Sequence, residues 1–306
     1  MFYSTSPALF RYSVSAIDEA HYLIDLSLVD RVIRRRVDDY PAAVPDLVAG
    51  RLFERLDLLK TNPHRVLDLG AGDTRHRESL QHRFKQSMVF SADLSDTLLR
   101  RGRTGGFWRR KPPMVCLDAS HLPFADGSFD LVVSNLMLPW VHPPDSFAAE
   151  LNRVLSPQGV FFFSTAGPDT LMELRRAWSQ IDDLPHVNAL LDMHDVGDML
   201  MRAGITDPVI DVERLQINYS SVDRLLDELV AVGSLNVLRG RRRGLMGSDI
   251  RQRLSQHYPL NDQGGVTATL EVVYAHGWKG QRKSSPRDGG GHEVWVSLDM
   301  LKRRKN

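Results

Sequence analysis

The chain has 306 residues, 42% of them hydrophobic, and a formal net charge of +1, enough for one large domain or for a core domain with a smaller cap. Its longest apolar runs, such as VFFF at 160–163, fall far short of the roughly 20 residues that span a bilayer. Asp18, Glu19 and Asp25 interrupt the N-terminal stretch where a secretory leader would be apolar, so a cytoplasmic location is expected. The single cysteine, Cys116, excludes an intramolecular disulfide framework and a multi-cysteine metal site, and it reads as a small core residue.

Residues 1–62 read as a helical N-terminal cap, in which Leu47, Val48, Leu52, Leu56 and Leu59 recur at helical spacing. From Arg65 the pattern changes to short β-rich runs, RVLDLG, MVFSAD, MVCLD, FDLVVSN and VFFFST. Helical segments at 79–85 and 145–155 fall between them, the second stopped by Pro157 and Gly159. Such alternation predicts βαβ units and an α/β fold, doubly wound around a mostly parallel sheet. Thr170 and Glu173 have the spacing of a capping box opening a helix through Trp178. An insertion at 182–191 follows, then a helix at 196–203 ending in Gly204, a strand at 209–217 and an amphipathic helix at 222–232. After an arginine-rich loop, TATLEVVYAHGW at 267–278 reads as the last strand. The stretch KGQRKSSPRDGGG at 279–291 has linker composition, so 279–306 is expected to be a mobile tail.

The sharpest local signal is VLDLGAGD at 66–73. It sets Gly70 and Gly72 between a predicted strand and a helix, where backbone N–H groups can approach a ligand closely. Asp93 ends the next strand, about twenty residues on, where a carboxylate accepts hydrogen bonds from ribose hydroxyls. Asp118 ends the third strand and Asn135 the fourth, so these groups converge on the carboxyl edge of the sheet. A dinucleotide fingerprint needs a third glycine where this chain has Arg75, and no GxxxxGK[ST] phosphate loop occurs. NAD and ATP are therefore disfavoured. Asp68, just before the turn, suits a positively charged ligand such as S-adenosylmethionine (SAM).

These motifs resemble the class I SAM-dependent methyltransferases over 65–165, and the resemblance implies their seven-stranded Rossmann-like sheet. It assigns cofactor contacts to Asp68, Gly70, Ala71, Gly72, Asp93 with Leu94, Asp118 with Ala119, and Asn135 with Leu136. Three further segments, FSTAGPDTLMELRRAW, LQINYSSVDRLLDELVAVGSLNVLRGRRRGLMG and TATLEVVYAHGW, resemble the malonyl-acyl-carrier-protein O-methyltransferases of biotin synthesis. On this resemblance, 63–278 is the SAM-binding domain, with a lid insertion at about 167–200. A related group, the respiratory complex I assembly factors that hydroxylate an arginine, has similar segments and supplies an alternative. The family usually continues its turn with a small residue and a glycine, where this chain has Asp73, Thr74, Arg75 and His76. That departure implies a weaker hold on the cofactor, and with it a non-catalytic paralogue as a further alternative.

A malonyl carboxylate is already ionised at neutral pH and needs no general base. The catalytic task is to orient it, and Tyr40, Thr165, Arg175 and Arg176 in the resembling region are the candidates. Acyl-carrier proteins are acidic, so Arg239, Arg241, Arg242 and Arg243 are a candidate docking surface, against the alternative of a solvated loop. Trp140, after the fourth strand, is placed to wall the pocket. The histidines show no HExxH-like spacing, no metal is expected, and no nucleic-acid module is evident.

Overall fold

A computed structural model describes Asp25, Leu28 and residues 43–102, 112–232, 236–242 and 247–280. Most of the expected cap, the tail after 280, Tyr40 and Arg243 lie outside the described residues. Helix α1 (Ala43–Leu56) precedes five parallel strands, β1 (Arg65–Leu69), β2 (Met88–Asp93), β3 (Met114–Cys116), β4 (Phe129–Asn135) and β5 (Leu155–Ala166). Helices α2 (Arg77–Arg83), α3 (Asp96–Arg101) and α4 (Pro144–Val154) make the crossovers. Next come α5 (Met172–Trp178), α6 (Met193–Arg202), β6 (Thr206–Tyr219), α7 (Val222–Ala231), α8 (Ser248–His257) and β7 (Val266–Trp278). The strand order is β3-β2-β1-β4-β5-β7-β6, with β7 antiparallel to both of its neighbours. This is the doubly wound, mostly parallel sheet that the pattern predicts, with the seven strands that the resemblance implies. Its order reverses between β1 and β4, which opens a crevice at their carboxyl ends.

Successive strand side chains point to opposite faces, and both faces are covered, which is why the strands read as largely apolar runs. Val66, Leu131, Val133, Val160 and Phe162 pack against Val48, Leu52 and Leu56 of α1 and Leu80 of α2. The alternate residues Leu67, Val132, Phe161 and Phe163 pack against Leu151 of α4 and Val196 and Leu200 of α6. Leu52 has no exposed surface, so Leu52→Ala is expected to cost about 2–5 kcal/mol through lost burial and a residual cavity. A lower urea midpoint at unchanged slope checks it.

The β5–β7 pairing ends at Ala166 opposite Val272, so the first residues of β7 overhang the carboxyl edge. There Val266 and Ala268 join Leu174 and Trp178 of α5, Leu225 of α7, and Leu254 and Tyr258 in a satellite apolar cluster. These helices roof the crevice.

Two expectations are corrected here. The capping box at Thr170 and Glu173 does not form: Thr170 Oγ1 donates to the carbonyl of Glu271 (3.1 Å), and Glu173 accepts the N–H of Thr269 (3.0 Å) and its hydroxyl. Both side chains are recruited by β7, so Leu171 caps the helix in a left-handed conformation without a side-chain bond. Cys116 is exposed rather than in the core. It ends β3, a three-residue strand at the rim of the sheet, and its thiol donates to the carbonyl of Leu94 at 3.3 Å.

Candidate active site

The chain leaves β1 through Gly70 (φ +78°) and Gly72 (φ +56°), left-handed conformations that glycine adopts without steric cost. A Cβ at Gly70 would lie 2.6 Å from Cβ of Met137, so the turn has no room for a side chain there. The N–H groups of Gly70 and Ala71 donate to the carbonyl of Ala92 at 2.8 and 2.9 Å. These bonds tie the turn to β2. Beyond it, the N–H of Gly72 donates to Asp93 Oδ2 (2.8 Å) and that of Ser95 to Oδ1 (2.8 Å). Two backbone donors thus hold the carboxylate of Asp93 at the tip of β2.

Asp118 is fixed through Oδ1, which accepts the backbone N–H and the hydroxyl of Ser120 at 2.8 and 2.7 Å. Asn135 ends β4, donating from Nδ2 to the carbonyl of Pro45 in α1 (3.0 Å) and accepting the hydroxyl of Ser164 (2.7 Å). Leu136 follows at φ +53°, held by bonds from its N–H to Ser164 O (3.0 Å) and Ser164 Oγ (3.1 Å). Tertiary contacts so hold a bulky residue in a conformation that ordinarily costs on the order of 1–3 kcal/mol.

These groups face a cavity of about 270 Å³ at the carboxyl edge. Asp68, Gly70, Ala71, Gly72, Asp93, Leu94, Asp118, Ala119, Asn135 and Leu136 all lie on its walls, as does Trp140. Asp68 is 6% exposed, and its Oδ2 has no hydrogen-bond partner. Burial, reinforced by neighbouring Asp93 and opposed by Arg77, pushes its carboxyl up to about 7. A buried carboxyl with an unsatisfied oxygen is a site for a cation, which fits the ammonium and sulfonium of SAM.

The sign of the linkage follows from that raised value. Folded Asp68 keeps a proton that the unfolded chain releases near pH 4, so its contribution to stability without ligand is complete below that and is lost as pH rises from about 4 to 7. A cation favours the ionised carboxylate instead, so SAM affinity is expected to rise with pH up to about 7 and then level off. Asp68→Asn should flatten both dependences, checked by calorimetry and by thermal unfolding at pH 5–8.

The unusual turn is internally paired. Arg75 binds Asp73 through two bonds (2.8 and 2.6 Å) and reaches Asp46 of α1 at 3.7 Å. His76 Nε2 lies 2.9 Å from Asp46 Oδ1. Burial lowers the pKa of His76, and Asp46 opposes that shift. The added charges are therefore matched within the turn and against α1.

The cavity continues beneath the roof, where Leu174, Val187, Leu225 and Leu229 alternate with His186, Asn188 and Asn236. Glu228 stands on the same wall and accepts the hydroxyl of Tyr219. Thr165, Arg175 and Arg176 are not on these walls. Thr165 is buried in β5 opposite Val273, Arg175 donates to the carbonyls of Pro168 and Thr170, and Arg176 is exposed. Tyr40 lies outside the described residues. Sequence reasoning missed His186, Asn188 and Asn236, although it marked 182–191 as an insertion.

The fold and this site together define a SAM-dependent methyltransferase. Residues 67–163 match the family model described as a methyltransferase domain. The chain is 42% identical over 250 residues to a malonyl-[acyl-carrier protein] O-methyltransferase of Laribacter hongkongensis, covering 79% of this chain and 84% of that one. It is 38% identical over 288 residues to the protein of the same name from Halorhodospira halophila, covering 91% and 97%. Among solved structures, the YcgJ protein of Bacillus subtilis shares the fold at a TM-score of 0.55 and 16% identity, covering 76% of this chain and 99% of that one. The chain belongs to the malonyl-[acyl-carrier protein] O-methyltransferase family. Among the described residues, no helix is long and apolar enough to cross a membrane and no cluster of ligands suits a metal ion.

Proposed function

We propose that the chain methylates the free carboxylate of a malonyl group carried as a thioester on acyl-carrier protein, a step of biotin synthesis. The observation that carries this reading is the similarity to malonyl-[acyl-carrier protein] O-methyltransferases, which runs through the roof and β7 as well as the nucleotide core. It favours this substrate over the arginine-hydroxylating alternative, and the paired turn speaks against a lost cofactor site.

SAM supplies an electrophilic methyl group on a sulfonium. The residues of the chain hold and orient. Asp93 would accept the ribose hydroxyls, Asp118 and Ala119 with Leu94 and Leu136 would hold the adenine, and Asp68 would answer the positive charge, with Asn135 on the same wall. Gly70, Ala71 and Gly72 let the backbone come close. No residue takes a proton, because the acceptor is already ionised. Rate comes from alignment of donor and acceptor and from a dry pocket in which carboxylate and sulfonium attract strongly.

Carrier docking falls to the arginine-rich loop. Arg239 and Arg242 are exposed, whereas Arg241 is half-buried and pairs with Asp25 (3.1 Å); Arg243 lies outside the described residues. Arg239 and Arg242 thus carry the steering, which weakens as salt rises. The test is calorimetric titration with SAM, followed by incubation with malonyl-loaded carrier. Formation of the methyl ester supports the reading, and SAM binding with an untouched acceptor overturns the substrate.

A further inference from the structure

Resting on that reading, we infer that His186 is the residue that recognises the acceptor carboxylate and so selects a malonyl group over its methyl ester.

A carboxylate entering the cavity needs a positively charged or strongly donating partner once it leaves water. The basic side chains on the described walls are Arg75, His76 and His186. Arg75 and His76 belong to the cofactor turn and are engaged by Asp73 and Asp46. His186 lines the same cavity from the insertion that follows α5. Glu228, also on the roofed side, repels an anion and directs it away from α7.

The setting of His186 is built. Its ring stacks on the buried indole of Trp178, centroids 3.6 Å apart and planes 5° from parallel. Its Nε2 lies 2.7 Å from Asp182 Oδ1, and the other oxygen of Asp182 is 3.5 Å from Arg242. The stack fixes the ring plane, and the Asp182 bond fixes its rotation. With Nε2 engaged by Asp182, Nδ1 is the ring nitrogen left for a substrate oxygen, to which it donates in the doubly protonated imidazole. Asn236, which donates to the carbonyl of Pro185, and Asn188, which accepts the N–H of Val237 at 2.8 Å, anchor the insertion to the arginine-rich loop. Arg242, Asp182 and His186 thus form one line of contacts from the docking surface to the cavity, in which Asp182 is a positioning residue.

No proton need move for this role: the methyl carbon leaves sulfur, its bonding pair stays there as a thioether lone pair, and the carboxylate oxygen forms the new bond. The experiment compares wild type, His186→Gln and His186→Phe for SAM affinity, for KM and kcat on malonyl-loaded carrier, and for binding of carrier bearing the malonyl methyl ester. Phenylalanine keeps the stack on Trp178, and glutamine keeps a donor without the ring. The expected result for His186→Phe is a KM about tenfold or more higher, as for loss of a charge-assisted bond. SAM affinity and ester binding should stay unchanged, and His186→Gln should fall between. Equal KM in all three proteins overturns the inference, as does a parallel loss of SAM affinity and ester binding, which would mark His186 as merely structural. Wild type inactive on the malonyl carrier would instead refute the substrate reading itself.

Discussion

Asp93→Ala is expected to lower SAM affinity by 100-fold or more, with methyl transfer at limiting SAM falling in step. The carboxylate does two jobs at the tip of β2. It faces the cavity as the acceptor for ribose hydroxyls, and it fixes the glycine turn and the start of α3 by accepting the N–H groups of Gly72 and Ser95. Each hydrogen bond to a charged group contributes roughly 1.5–3 kcal/mol, and a factor of ten in affinity is about 1.4 kcal/mol, so loss of two ribose bonds reaches the stated size. Calorimetric titration measures it. Asp93→Asn keeps one acceptor oxygen and replaces the other with an NH2 group that cannot accept a backbone N–H or a ribose hydroxyl, so an intermediate loss is expected. An Asp93→Ala protein that binds SAM like its parent would show that the ribose lies elsewhere.

The second large effect is expected from Gly70→Ala. The added methyl would sit 2.6 Å from Met137 Cβ and 2.7 Å from its Cγ, at a backbone φ of +78°. Neither demand can be met by a rotamer change at residue 70, and the left-handed conformation alone costs on the order of 1–2 kcal/mol. Since Met137 continues directly from the strained Leu136, relief has to shift the segment that borders the cavity opposite the turn. A loss of about 2–4 kcal/mol in stability is expected from strain plus overpacking, with SAM binding reduced beyond detection at micromolar protein. Thermal unfolding and calorimetry check the two parts. Gly72→Ala is the control for the stability part: its φ of +56° is similar, but a Cβ there meets no protein atom within 4 Å, so thermal unfolding should show only the backbone cost.

The parallel half of the sheet was legible because its strands are buried on both sides. VLDLG and FDLVVSN are mostly apolar runs, and Asp68, Gly70 and Asn135 toward their carboxyl ends are residues the cavity gathers. β3 was read with its neighbours, yet at the rim of the sheet only one side is packed, and Cys116 emerges where a core residue was expected. The capping box failed for a different reason. Thr170 and Glu173 have the right spacing along the chain, but residues 269–271 of β7 offer them partners that no local pattern reveals. The roofed side of the cavity was least legible. His186 owes its position to Trp178, which precedes the insertion, and to Asp182, which a reader takes for an ordinary solvated acid. The arginines of α5 were candidates because they lie in the segment that resembles the family, whereas the helix spends Arg175 on its own entrance.

The placement of β7 between β5 and β6 has a consequence for the newly made polypeptide. Until residues 266–278 have left the ribosome, β5 has an open edge and the cavity lacks the wall formed by Ala268, Thr269 and Leu270. An exposed hydrophobic edge is a template for unwanted pairing, and closing it requires a contact between segments far apart in the chain. Ligand binding therefore waits on the synthesis of β7, and a product truncated before β7 should be both insoluble and blind to SAM.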